Sequence, residues 1–195
     1  QVLQDEAYRD AAVRAAGFVL MRMRRDGKLW HAYRHGHADI PGFLDDYAFL
    51  LVALVDVYEA TFDPKWLEEA DALARVMIDE FRDDEAGGFF LTGGDHKDLI
   101  ARNKPMYDGA EPSGNSMAAL GLLRLARLID NREYAETARR VLESNEGNMS
   151  TSPRAYLKML VAAEFLVEPT KEIAIAGEAS RPETKALIET VYGRF

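Results

Sequence analysis

Apolar residues recur at helical spacing along most of this chain, and stretches of two kinds alternate. One kind carries a single stripe. Trp66, Leu67, Ala70, Leu73, Ala74, Met77, Ile78 and Phe81 line one face of a helix predicted from the Asp63-Pro64 cap to about Phe81, with acids on the other face. Tyr134, Ala135, Ala138, Val141 and Leu142 do the same from Asp130-Asn131 to about Glu143. The other kind is apolar nearly all round: Tyr47 to Val55 in a helix from about Phe43 to Thr61, Met117 to Leu123 in one from Ser113 to Ile129, and Tyr156 to Ala163 in one from Ser152-Pro153 to Val167. A helix apolar on every face must be covered by others. A further amphipathic helix, about Leu3 to Arg25, opens the chain, so the order is outer, inner, outer, inner, outer, inner.

The links alternate too. Inner-to-outer links are short, at Thr61-Phe62-Asp63 and Ile129-Asp130-Asn131, whereas outer-to-inner links are long: Asp26 to Gly42, Arg82 to Pro112 and Ser144 to Thr151. In an up-and-down array every long link falls at one end, where the inner helices begin, and long ordered loops carry function. Glycine-aromatic segments precede two inner helices, at Gly27-Lys28-Leu29-Trp30 and Gly87-Gly88-Phe89-Phe90, while Leu54, Trp66 and Ala70 match Leu122, Tyr134 and Ala138 in spacing. The chain therefore reads as a repeat of helical hairpins that bury their inner helices by stacking. The fold class is all-α, three hairpins over residues 1–167, with a tail at 168–195: a short strand at Lys171–Gly177, then a capping box at Ser180-Arg181-Pro182-Glu183 opening a last helix to about Tyr192.

Composition narrows the chemistry. Among 195 residues, 33 are acidic and 24 basic, a net charge of −9 that argues against a nucleic-acid partner. The absence of cysteine excludes disulfides, zinc–thiolate sites and thiol catalysis, and fits a cytoplasmic setting. The longest apolar run is far below the ~18 residues of a membrane span, so no membrane partner is expected.

The acids gather before the inner helices. Asp45 and Asp46 open one, and Asp108 and Glu111 lie in the loop before the next. One reading is structural, with Asp45 or Asp46 as an N-cap and Asp108 and Glu111 ordering a turn. The other is catalytic: glycoside chemistry needs two carboxyls facing each other across the scissile bond, and these clusters come from neighbouring helices at one end. A helix N-terminus favours the charged form, so Asp45 and Asp46 are expected to stay ionised and serve as base, nucleophile or hydroxyl acceptor. Tyr33 and Tyr107 suit a sugar platform, and Arg102 and Asn115 suit polar anchors, while Trp30, Phe89 and Phe90 read as packing anchors. His96, Lys97, Arg102 and Lys104 make their loop basic. His31, His35, His37 and Asp39 approach a metal motif but leave it incomplete, with Ile40 where a further histidine would stand; neither metal nor cofactor is expected.

Gly42-Phe43-Leu44-Asp45-Asp46-Tyr47-Ala48, Gly87-Gly88-Phe89-Phe90 and Tyr107-Asp108-Gly109-Ala110-Glu111-Pro112-Ser113-Gly114-Asn115-Ser116 resemble the C-terminal part of the spermatogenesis-associated protein 20-like family. The resemblance implies an (α/α)6 toroid similar to N-acylglucosamine 2-epimerases and six-hairpin glycosidases, following a thioredoxin-like domain. That domain is missing here and three hairpins stand where the toroid has six. The expectation is a homodimer or a fragment of a larger parent. The implied function is binding or modifying a carbohydrate at the loop end, and the alternative is a non-catalytic scaffold or interaction module.

Overall fold

The computed structural model describes residues 5–94, 101–169, 171, 173–178 and 180–193. Helix α1 (Glu6–Arg22) starts at Asp5, whose carboxylate accepts from the Ala7 N–H. The expected extension of this helix to Arg25 does not occur. Arg24–Arg25 instead form strand β1, followed by β2 (Lys28–Arg34) and β3 (His37–Pro41) in a three-stranded antiparallel sheet. Arg25 pairs with Lys28 and Arg34 with His37, so each hairpin turns on two residues. These are Asp26-Gly27 (φ 52° and 81°) and His35-Gly36 (φ 50° and 83°), the paired left-handed conformation that two-residue hairpins require. The segment expected to be a plain loop is thus a folded flap in front of the first inner helix.

The remaining elements are α2 (Leu44–Thr61), α3 (Lys65–Phe81), α4 (Gly114–Ile129), α5 (Arg132–Ser144), α6 (Glu146–Thr151), a 3-10 turn at Pro153–Ala155, α7 (Leu157–Val167) and α8 (Pro182–Tyr192). The single helix expected from Ser152 is therefore the 3-10 turn plus α7, broken at Tyr156 (φ −139°), and α6 fills the link before it. In the tail, none of the described residues at 171 and 173–177 is in a strand, and among the described residues no strand pairs with them. The helix α8 forms without the expected capping box: Arg181 is the N-cap and no side chain caps it. Its Tyr192 hydroxyl donates to the Glu59 carbonyl at 2.6 Å, tying the tail to the C-terminal end of α2.

Inner helices α2, α4 and α7 stand in a row, α2 against α4 and α4 against α7. Outer helix α3 touches both α2 and α4, α5 touches both α4 and α7, and α1 rests on α2. Both short inner-to-outer links turn at a left-handed residue, Phe62 (φ 54°) and Asp130 (φ 51°), in equivalent places of the repeat. The matched positions Leu54, Trp66, Ala70, Leu122, Tyr134 and Ala138 are all buried. Polar clamps join the layers: Arg124 of α4 reaches Asp56 at 2.7 Å and Glu59 at 2.9 Å on α2, and the Tyr134 hydroxyl of α5 donates to Asp71 of α3.

Within the inner row α4 packs tightly on α2 at Gly121, where an added Cβ would lie 3.0 Å from Leu51 Cδ2 and 3.2 Å from Val52 Cγ2. Leu51 and Val52 are both buried, so neither has room to retreat. Gly121→Val should therefore destabilise the chain by about 1–3 kcal/mol through overpacking, measured as a lowered midpoint in urea.

Candidate functional site

The N-termini of α2, α4 and α7 lie side by side, joined by loop side chains. Asp46 accepts from the Phe43 N–H at 2.8 Å, closing the first turn of α2, and the Leu44 N–H donates to the Leu91 carbonyl at 2.9 Å. Ser113 caps α4, its hydroxyl accepting from the Ser116 N–H at 3.1 Å and donating to the Met106 carbonyl at 3.1 Å. Asp108 joins two helices: one oxygen accepts from the Ser113 N–H at 2.9 Å, the other from the Lys158 and Met159 N–H groups at 2.8 and 3.2 Å in the first turn of α7.

Several residues expected to face a ligand hold backbone instead. Asn115 is fully buried; its carbonyl oxygen accepts from the Phe89 N–H at 2.7 Å and its amide donates to the Phe89 and Pro105 carbonyls at 2.9 and 2.8 Å. Arg102 donates to the Thr92 carbonyl and, at 3.0 Å, to the Glu80 carbonyl, with its guanidinium 4.2 Å above the Phe90 ring. Lys104 is bound to Asp83 and to the Gly87 carbonyl, and it holds the Asp83 carboxyl below its usual range. These contacts pin the Gly87–Phe90 turn, and Phe89 is fully buried as its anchor. His96 and Lys97 lie outside the described residues. Tyr33 meets Phe18 of α1 edge-on at 5.2 Å between centroids, so its ring lies in the packing of the flap. Tyr107 is 63% exposed and meets Tyr156 edge-on at 6.3 Å.

The acids that do come together are Asp45, Asp46 and Glu111. Asp45 reaches solvent at the mouth, yet its carboxyl is pressed against the start of α4: a Cβ added to Gly114 would fall 2.2 Å from Asp45 Oδ1. Gly114 is thus required by close approach. Desolvation there and the neighbouring Asp46 charge, with a further push from Glu111, raise the Asp45 pKa. The Gly114 N–H and His31 oppose the rise without cancelling it. At this crowded end desolvation and like charge outweigh the downward shift that a helix N-terminus alone would give.

His31 projects from β2 onto this cluster. Its Nδ1 is 3.0 Å from both Asp46 oxygens and its ring meets Phe43 edge-on at 5.1 Å. Sequence reasoning did not connect His31 with Asp46; the alternation of Leu29, His31 and Tyr33 along a strand was the available signal. His35 Nε2 accepts from the adjacent Arg34, and among the described residues no three His, Asp or Glu side chains form a group that could hold a metal ion. No helix among them is long and apolar enough to cross a membrane.

Two variants separate the roles. Asp108→Ala should cost about 2 kcal/mol by leaving first-turn N–H groups of α7 and the Ser113 N–H unpaired, read as a shifted denaturation midpoint. Asp45→Asn should stabilise the chain. A carboxyl whose pKa is higher folded than unfolded makes folding less favourable as pH rises from the ordinary value near 3.8, so removing its charge raises Tm at pH 7, and the gain fades as the pH is lowered toward that value.

Comparison with known proteins places this arrangement. Residues 22–153 match the model of glycosyl hydrolase family 76. Spermatogenesis-associated protein 20 of Rattus norvegicus is 36% identical over 79% of this chain and 20% of its own length, and the Homo sapiens protein is 34% identical over 83% of this chain and 21% of its own. The chain spans about a fifth of the length of these curated relatives. Among solved structures, the unsaturated glucuronyl hydrolase of Bacillus sp. GL1, responsible for the degradation of glycosaminoglycan, superposes with a TM-score of 0.59 at 19% identity, over 96% of this chain and 55% of that one. Its likeness establishes the six-hairpin α/α toroid as the fold to which these hairpins correspond. The chain belongs to glycosyl hydrolase family 76 and shares its toroid sequence with spermatogenesis-associated protein 20.

Proposed function

We propose that this chain binds a carbohydrate at the mouth formed by the N-termini of α2 and α4 and acts on a glycosidic bond there. The observation that carries this reading is the meeting of Asp45, Glu111 and the Asp46–His31 pair at one end of the inner helices, where burial and neighbouring carboxylates push the Asp45 pKa up. Glycoside cleavage needs one carboxyl that keeps a proton to give to the leaving oxygen and a second that stays charged as base or nucleophile. Asp45 is the proton donor in this scheme and Glu111, exposed in the loop before α4, is the second carboxyl. Asp46 holds the turn and His31, while Asp108 holds the helix ends, so both act by positioning. Tyr107 and Tyr156 offer aromatic surface for a sugar ring at the same end. The fold neighbour's action on unsaturated glucuronyl groups puts uronyl disaccharides among the substrates to try.

A second reading has one observation in its favour. Asp46, Asp108, Asn115 and Arg102 all spend hydrogen-bonding capacity on the chain's own backbone, as a non-catalytic scaffold requires.

The test is a panel of aryl glycosides and unsaturated uronyl disaccharides, assayed for turnover and for thermal stabilisation. The site reading predicts turnover of at least one member, with Asp45→Asn and Glu111→Gln each lowering kcat/KM about 10²–10⁴-fold while the fold is retained. Neither turnover nor sugar-dependent stabilisation from any member favours the scaffold.

A further inference from the structure

We propose, on the strength of the carbohydrate reading above, that His31 is a substrate-binding residue of the mouth. Its Nε2 accepts a hydrogen bond from a ring hydroxyl of the sugar whose glycosidic bond Asp45 protonates. Asp46 fixes which nitrogen does this. Nδ1 lies 3.0 Å from both Asp46 oxygens, and a nitrogen that faces two carboxylate oxygens carries the proton between them. Asp46 is itself held, since Oδ2 also accepts from the Phe43 N–H at 2.8 Å. With Nδ1 as donor, the neutral ring presents Nε2 as an acceptor. No group among the described residues pairs with Nε2. The ring reaches solvent, and His31 is near enough to Asp45 for its charged form to act on that carboxyl.

The backbone that carries His31 is fastened on both sides of it. The Leu29 N–H donates to the Tyr47 hydroxyl at 2.7 Å, and the Leu29 carbonyl accepts from the Gly42 N–H at 2.8 Å. A Cβ added at Gly42 would fall 2.9 Å from that carbonyl, so only glycine allows the approach. Further along β2, Tyr33 packs edge-on against Phe18. Across the hairpin the register pairs Trp30 with Pro41 and Ala32 with Asp39, but not His31 with Ile40 between them. Ile40 is left-handed (φ 65°), a strained state for a β-branched residue, and its N–H donates to the Asp39 carboxylate at 2.9 Å. Strain is thus kept at the strand position facing His31, as it is at many ligand sites.

A clamp between the flap and α2 would need one donor on Asp46 and nothing more. Histidine supplies that donor and leaves a second nitrogen at the mouth. An unprotonated Nε2 can accept from a hydroxyl but has no proton to offer a carboxylate. The group selected by His31 is therefore a hydroxyl, and a uronyl carboxylate would have to lie elsewhere in the mouth.

Two measurements test this. Nitrogen-15 NMR of the chain at about pH 8 reads the tautomer, and the proton is expected on Nδ1, the minor form of free neutral imidazole in water. For an aryl glycoside that is turned over, singly deoxygenated analogues are then compared in the wild type and in His31→Ala, an exposed substitution that should leave the circular dichroism unchanged. Loss of one hydroxyl should lower kcat/KM about tenfold or more in the wild type, and under about twofold in His31→Ala. A proton on Nε2 overturns the proposal whatever the sugars do. A penalty that His31→Ala leaves intact at every hydroxyl also overturns it, while turnover keeps the glycosidase reading standing. Absence of turnover from every glycoside removes that reading and this proposal together.

Discussion

Helix N-termini packed side by side leave a cluster of backbone N–H groups in need of acceptors, and the mouth of this chain is organised around meeting that need. Asp108 serves α4 and α7 together, Asp46 serves the turn into α2, and Ser113 caps α4 while holding the Met106 carbonyl. Because Asp108 and Ser113 are carried on the loop before α4, satisfying the helices also fixes that loop. Acidic side chains are thereby concentrated at one end, where Asp108 and its loop meet the starts of both α4 and α7.

This constraint sorts the acids into two groups. A carboxylate whose oxygens are taken up by several backbone N–H groups is committed to the fold; Asp108 is of this kind. Asp45 differs. It stands against α4 so closely that only glycine fits at position 114, yet the neighbouring Asp46 and Glu111 charges work against its ionisation. A structural role would be served better without it, since an asparagine of the same shape keeps the Gly114 contact and removes the repulsion. A group kept at a cost to folding stability is the usual mark of a functional site.

The helices and their alternation were legible in the sequence because burial on one face or on all faces leaves a period that survives without tertiary knowledge. Leu54, Trp66 and Ala70 against Leu122, Tyr134 and Ala138 showed the repeat for the same reason, and these positions are buried in both units. The flap was missed although Asp26-Gly27 and His35-Gly36 are hairpin turns by type. Its strands alternate Lys, Trp, Ala and Arg with Leu, His and Tyr, which gives no clear apolar face. The tail failed in the opposite sense: Ile173-Ala174-Ile175 has strand composition, but a strand needs a partner and among the described residues none pairs with it. The division of labour among the acids was out of reach. Asp108 and Lys158 are fifty residues apart, and Asp45 is tuned by Gly114 and Glu111 from another hairpin.

The half-ring geometry bears on chemistry as well as on folding. A proton donor is useful only if the charge that develops opposite it is shielded from bulk water, because an open mouth lets solvent screen both carboxyls and compete for the proton. In the isolated chain Asp45 is already partly desolvated by its own neighbours, but Glu111 and Tyr107 remain exposed. The hydrogen bonds of Asp108 and Asn115 lie wholly within these hairpins, so a ligand or a further wall across from Glu111 and Tyr107 leaves them undisturbed. The fixed half of the mouth and its missing half are therefore separable. The first is set by N–H satisfaction within the three hairpins, and the second by what stands opposite Glu111 and Tyr107.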